Sequence, residues 1–523
     1  VSKTSPTSID RPLFLISAGL AAAFVAWGVF ATDNLATVAG TAKDFVIEGF
    51  GWVFILTSAG FVFLAVALAI SRYGRIRLGK DSDRPEFRTS SWVAMMFSAG
   101  MGIGLMFYGV AEPLNHLATP PLGLAEPGSK EAARLATEYS YFHWAIHPWA
   151  MYAVVGLALA YSAFRKGRAS LISSAFFPLL GDRTRGGAGR AADIFAIIAT
   201  LFGSATSLGL GALQINSGLT QLWGFPKSTP LAIGIIAALT TAFVISAVTG
   251  VRRGIQWLSN TNMVLAILLL AFLFVVGPTV FVLNTFTESV GGYLGDLLPM
   301  SFRSGAFGGA EWLSAWTIFY WAWWISWTPF VGMFIARISK GRTIREFVVG
   351  VILIPSLVSF VWFAILGGSA LHVELSGKAD LAAAAAEGPE FALFGLLREY
   401  PMFAVMAVLV MVLVALFFVS GADAASVVMG TLSSRGVLEP GRGVVILWGT
   451  ATGMVAAVLL LAGGLDALQT LCILAAAPFL LVICGMCAGL IKDLRQEPKA
   501  AAAEPASPGR APESPAETQT LPV

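Results

Sequence analysis

Twelve long apolar runs divide this chain, each free of Asp, Glu, Lys and Arg or interrupted once: 13–32, 49–71, 89–111, 139–164, 194–226, 228–251, 254–287, 312–336, 347–373, 400–434, 443–465 and 467–491. A helix crosses a bilayer with about 20 apolar residues, so each run is long enough for one crossing. Helices are the form such runs take in lipid, because the bilayer offers no partner for an open backbone. The pattern therefore predicts an all-α integral membrane protein with 12 transmembrane helices. Residues 1–12 read as a short polar tail, and 498–523, rich in Ala, Pro and Glu, as a disordered one. The long connections 112–138 and 374–399 are expected to carry short helices, Leu381 to Ala386 among them, and 285–311 an interfacial connection.

Composition sharpens this picture. With 57 % hydrophobic and 12 % charged residues and a mean hydropathy of +0.78, a soluble globular chain is excluded. If the first connection is outside and the rest alternate, loops on the N-terminal side hold 26 of the 33 Lys and Arg residues and the opposite loops 7. This bias puts both termini in the cytoplasm, and the expected location is multi-pass in the cell (inner) membrane. The net charge of +3 gives no reason to expect nucleic acid. Run 13–32 is too long for the apolar part of a cleaved signal. Cys472, Cys484 and Cys487 all lie in the last run and read as small packing residues rather than a redox or metal pair.

Several runs carry chemistry. The third contains Ser98-Ala99-Gly100-Met101-Gly102-Ile103-Gly104-Leu105. Each alternate glycine costs a helix about 1 kcal/mol relative to Ala. Two readings stand: close helix packing, or a locally unwound helix whose freed amides and carbonyls hold a ligand or ion. Asp423, in Ser420-Gly421-Ala422-Asp423, is the only charged residue inside a run, and so a candidate for coupling or gating or for a helix-pairing hydrogen bond. The fifth run has a similar small-polar segment from Gly203 to Gly209. These two runs are each third in a pair of five-run units, as an inverted repeat would place them.

The aromatic residues are concentrated in two runs. Trp316, Trp321, Trp323, Trp324 and Trp327 fall in the charge-free run 312–336, centred on Trp324 rather than at a water interface. Trp316, Tyr320, Trp323 and Trp327 form one helical stripe, with Trp324 beside it. Ser326-Trp327-Thr328-Pro329 reads as a place where the helix loosens. In the fourth run Trp144, Trp149 and Tyr152 share a broad side of a helix. His143 and His147, four apart, have metal-ligand spacing, but no carboxylate shares their turn, which argues against a metal. Aromatic faces attract methylated ammonium groups. With no carboxylate in these Trp-rich segments, the expected guest is a zwitterion, its cation in the cage and its carboxylate on amides of the glycine stretch.

Three segments together, Gly100-Met101-Gly102-Ile103-Gly104-Leu105-Met106-Phe107-Tyr108-Gly109, His143 to Tyr152 and Trp316 to Arg342, resemble the signature segments of the betaine/choline/carnitine transporter family. The resemblance runs from about residue 10 to 490. It implies a leucine-transporter-like fold, two leading helices followed by an inverted repeat of five plus five helices, usually as a homotrimer. The layout would be an N-tail at 1–12, leading helices at 13–88, a first repeat with its external connection at 89–310, a second repeat at 311–491 and a disordered C-tail at 492–523.

The resemblance also implies sodium symport of a quaternary-ammonium or sulfonium zwitterion of the glycine betaine type, with sodium as coupling ion and no other cofactor. Carnitine or choline uptake, or ion-independent exchange, is the alternative within the family. An intramembrane enzyme would want clustered polar catalytic groups, and a channel a charged or carbonyl filter; neither is seen in the sequence. Trp144, Trp149, Tyr152 and Trp324 match the family's box around the trimethylammonium group, with Met101 among the substrate contacts, and Trp323 and Trp327 match its cytoplasmic pathway. Ser98, Met101, Phe417, Ser420 and Gly421 match the sodium ligands, Gly421 lacking the expected hydroxyl, and Thr200 with Ser204 a weaker second site. Gly100, Gly102, Gly104 and Asp423 are coupling or gating candidates. Choline-preferring relatives tend to have Asp at the position of Gly104, so this glycine favours a betaine-type substrate.

Overall fold

The structure, a computed structural model, describes residues 9–100, 102–249 and 252–498. Among these the named elements are helices, and the one β-type pairing is an isolated bridge between Arg77 and Thr343. Eight helices are long and apolar enough to cross a membrane. The pair Asn260–Val276 and Thr279–Phe302, bent by 110°, would make a ninth. That twelve apolar runs give nine such crossings has three physical reasons. Run 89–111 is split into Thr89–Gly100 and Ile103–Ala118, each too short alone. Run 312–336 spends its length on tryptophan and tyrosine, whose N–H and O–H groups offset their apolar rings. Runs 443–465 and 467–491 share one 54-residue element, Arg442–Arg495, broken by non-helical backbone at Gly463 and Gly464.

Local signals account for where helices start and stop. The Asp10 carboxylate accepts from Leu13 N ahead of a first turn containing Pro12. Thr343 and Glu346 form a capping box that starts Ile344–Leu375. Gly224 closes Gly187–Trp223 in the left-handed region, at φ 72°. The expected outer helix is present as Leu381–Glu387, followed by Pro389–Arg398. Stretch 285–311, expected to be an interfacial connection, is helical up to Phe302, in the limb that turns aside by 110°.

Glycines bring the Trp-rich helix Phe319–Ile338 close to its neighbours. A Cβ on Gly203 would lie 2.1 Å from Ser326 Oγ, one on Gly332 2.8 Å from Val155, and one on Gly156 2.6 Å from Ile335. Without Cβ atoms at these points the helices Gly187–Trp223 and Ile146–Ala160 approach the Trp-rich helix from both sides. The outer faces carry exposed Phe30, Phe45, Trp52, Ile70, Val275 and Leu481, an apolar surface suited to lipid.

Order extends further toward the C-terminus than expected. The last helix runs to Arg495, and Arg165 and Lys166 both pair with Glu497. Burial alone would raise the Glu497 carboxyl, but hydrogen bonds from Arg165, Tyr161 and Lys166 outweigh it and hold it at about 2. Because the folded value is depressed, this contribution to stability is present above the ordinary carboxylate range and lost as pH falls toward 2. The start of the stretch read as a disordered tail, 492–498, is thus anchored; 499–523 lies outside the described residues.

Candidate substrate site

Two broken helices meet at the Trp-rich helix. Between Thr89–Gly100 and Ile103–Ala118, Gly102 is extended (φ −165°, ψ −179°), so the glycine stretch interrupts the helix as its unwound reading requires. It leaves the first amides of Ile103–Ala118 without helical partners. The second break is at Ala145 (φ −110°, ψ −111°), between Lys130–Trp144 and Ile146–Ala160. Pro148, four residues after Trp144, has no N–H to give to the Trp144 carbonyl. Ser359 Oγ donates to it instead, at 2.8 Å. The neighbouring His143 carbonyl accepts from Trp324 Nε1 at 2.9 Å, which ties the break to the Trp-rich helix.

The aromatic side chains close around a small cavity of about 30 Å³. It is lined by Trp144, Trp149, Tyr152, Trp323, Trp324 and Trp327, with Gly102, Gly104, Leu105, Pro148 and Ser359. The Trp144 and Trp324 rings meet edge to face at 4.8 Å, and Trp149 and Tyr152 likewise at 5.2 Å. Trp323 stacks on Trp324 at 4.9 Å and donates Nε1 to Ser207 Oγ. It lines this small cavity together with Trp324. Tyr152 is buried and its hydroxyl has no hydrogen-bond partner among the described residues. Gly104 is where the rings crowd the backbone: a Cβ there would lie 2.6 Å from Trp323 and 2.8 Å from Trp144. The Ser326 and Thr328 hydroxyls donate to the Trp323 and Ile325 carbonyls, and the helix continues through Pro329 instead of loosening there.

One functional group escaped sequence reasoning. Glu112 is fully buried behind the box, and its Oε2 accepts from Trp144 Nε1 at 2.7 Å and from the Tyr320 hydroxyl. Its Oε1 lies 2.6 Å from His143 Nδ1 and 3.3 Å from His116 Nε2. The Trp-rich segments themselves hold no carboxylate; Glu112, just past the third run, stands beside them and does not line the cavity itself. The available signal was His116 one helical turn after Glu112 in a chain with four histidines. The His143–His147 pair does not form. The break at Ala145 separates the rings, and His147 stacks on Trp321 at 5.1 Å and bonds Ser301. Glu112, His116 and His143 bring ligand atoms within 4.8 Å of one another, as a metal site would, but the carboxylate is already bonded by Trp144, Tyr320 and His143.

A larger open cavity of about 480 Å³ adjoins the small one. Gly102 and Trp327 line both, and Trp327 Nε1 donates to the Gly203 carbonyl at 3.1 Å. Phe417, Ser420, Gly421, Asp423, Ser204 and Asn262 also line the large cavity. Ser420 Oγ donates to the Phe417 carbonyl at 3.2 Å and accepts from Asn262 Nδ2 at 3.4 Å. Asp423 is half-buried in the wall of this cavity and bonds no partner among the described residues. Thr200 is buried with its hydroxyl on the Ala196 carbonyl, and only Ser204 of that pair reaches the cavity. Met101 lies outside the described residues, and Ser98 and Gly100 are described only as the end of their helix.

Comparison with known proteins bears on this arrangement. Residues 12–499 match the family described as betaine/carnitine/choline family transporter. The chain is 47 % identical over 488 residues to the glycine betaine transporter OpuD of Bacillus subtilis, covering 93 % of this chain and 94 % of that one. It is 44 % identical over 492 residues to a probable glycine betaine transporter of Desulfitobacterium hafniense, covering 93 % and 98 %. It is 39 % identical over 495 residues to the ectoine/hydroxyectoine transporter of Virgibacillus pantothenticus, covering 95 % and 98 %. With its long apolar helices and this match over nearly its whole length, the chain is a multi-pass membrane protein that belongs to the betaine/carnitine/choline family of transporters.

Proposed function

We propose that this protein is a secondary active transporter that imports glycine betaine, or a closely similar zwitterion, by sodium symport with alternating access. The observation that carries the reading is the aromatic box on two facing helices, with a helix N-terminus as its third wall. Five indoles and a phenol line the box and no charged side chain does. A trimethylammonium group gains about 0.5–2 kcal/mol from such faces, depending on desolvation. Gly102, Gly104 and Leu105 line the same cavity at the start of Ile103–Ala118, where free amides and the helix dipole suit a carboxylate. The buried Tyr152 hydroxyl is a further donor, with no partner among the described residues to give up. A cavity of about 30 Å³ holds a water rather than a betaine, so the rings must part on binding. Trp327, shared by both cavities, is the natural moving element.

The names of the similar proteins support glycine betaine as the first substrate to test and ectoine as its competitor. The twelve-crossing inverted repeat, the homotrimer and the inner membrane with cytoplasmic termini belong to the same proposal, supported by the family resemblance and the Lys and Arg bias. In proteoliposomes, labelled glycine betaine should accumulate only when sodium is higher outside. Accumulation driven by internal substrate alone would favour exchange instead.

Sodium coupling can be probed at Gly421. A Cβ at this position meets nothing within 4 Å, and the residue faces the large cavity beside Ser420. Gly421→Ser therefore adds a hydroxyl without a clash. We expect it to lower the sodium concentration for half-maximal uptake by roughly 3- to 10-fold, about the net worth of one added polar contact. An unchanged sodium dependence would place the ion elsewhere.

A further inference from the structure

Two of the rings nearest Trp324 are held from behind by the same carboxylate. Trp144 meets Trp324 at 4.8 Å and Tyr320 stacks on it at 5.8 Å. The Trp144 indole N–H and the Tyr320 hydroxyl both donate to Glu112 Oε2. Glu112 is 0 % exposed, and the two polar side chains at its other oxygen are His143 and His116. Among the described residues these imidazoles stand where an ion-pair partner would, and no Lys or Arg pairs with the carboxylate. A carboxylate is costly in such surroundings unless donors surround it, and here they do.

We infer that Glu112 is a specificity-determining and positioning residue that serves as counter-charge to the substrate's cation from behind the aromatic wall. The inference rests on the betaine reading and deepens it. Two physical effects act together. The bonds to Oε2 fix the Trp144 and Tyr320 rings in place, so the box is organised before the ligand arrives. An N–H given to an anion also shifts electron density into the indole, which makes its face more attractive to a cation. In a site that excludes water, the carboxylate's own field reaches the cation with little screening. The box thus borrows a negative charge that none of its lining residues carries.

The test separates charge from shape. Glycine betaine and 3,3-dimethylbutanoate have the same outline and the same carboxylate, but the second has carbon in place of the quaternary nitrogen. Glu112→Gln suits the comparison because the amide oxygen can still accept from Trp144 and Tyr320 while its NH2 donates to His143. Both ligands are measured by competition against labelled betaine on the purified full-length protein. The expected result is a loss of on the order of tenfold in betaine affinity, with the isostere changed less than twofold. Trp144→Phe, which keeps a ring but breaks its link to the carboxylate, should show a smaller loss of the same selectivity if Glu112→Gln does not yield folded protein. Equal losses for both ligands would reduce Glu112 to a packing role, and no loss for either would remove it from recognition; both overturn the inference. Failure of the unaltered protein to bind betaine would instead overturn the function proposed above.

Discussion

Trp324→Leu is expected to weaken glycine betaine binding by on the order of 10- to 100-fold and to abolish uptake at low substrate concentration. Trp324 is the ring on which the box converges. It meets Trp144 edge-on, stacks against Trp323, faces Tyr152 at 6.5 Å and reaches Trp327 at 6.2 Å. Its Nε1 also bonds the His143 carbonyl at the break in the fourth run. Leucine keeps an apolar residue but removes a cation-attracting face and leaves a buried carbonyl without its donor, a cost of about 1–3 kcal/mol. Trp321→Leu is the control. Trp321 is equally buried on the same helix, but it faces His147 and Phe142 and does not line the cavity. Its loss should lower thermal stability and leave affinity within about threefold, since cavity costs fall on the fold. Isothermal titration with betaine and a melting curve, run on both variants, separate the two roles. Equal affinity losses would mean that the whole Trp run is a packing seam.

Gly104→Asp should change which ligand the site prefers. The hydrogen on Gly104 points between two rings of the box, where a Cβ would stand 2.6 Å from Trp323 and 2.8 Å from Trp144. An aspartate there must push the indoles apart and then presents its carboxylate inside the box. A purely cationic ligand gains a partner, whereas a zwitterion brings its own carboxylate toward a like charge. The ratio of choline to betaine affinity should rise by on the order of tenfold or more. Gly104→Asn supplies the same bulk without the charge and should weaken both ligands without favouring choline. Uptake competition between the two compounds measures the ratio, and an unchanged ratio in Gly104→Asp would rule out Gly104 as a selectivity position.

Much of the site was legible because its signals are local. Alternate glycines weaken a helix wherever they occur, and Gly102 does interrupt one. The stripe from Trp316 through Tyr320 and Trp323 to Trp327 follows from helical spacing, and consecutive rings along it lie 6.3, 6.2 and 5.9 Å apart. Spacing failed at His143 and His147, because a helix wheel assumes an unbroken helix and Ala145 is not helical. The cause was present in Pro148, but proline inside a membrane helix gives either a kink or a break, and the choice depends on whether neighbours satisfy the freed carbonyls. Here Ser359 and Trp324 do so, from helices far along the chain.

The amino-acid sequence by itself determined that this is a helical membrane protein, where its apolar runs lie, which helices are weakened by glycine and proline, and that two runs carry an aromatic stripe. These properties follow from hydropathy and periodicity, which act between near neighbours. Only the tertiary structure decided that Trp323 stands in the wall of the box, that Trp327 separates two cavities, and that Glu112 lies behind Trp144 and Tyr320. The last joins residues 32 and 208 positions apart through two hydrogen bonds on one oxygen. Such a contact arises when a broken helix turns a carboxylate toward partners on other helices. Burial then makes it costly to leave that carboxylate unbonded.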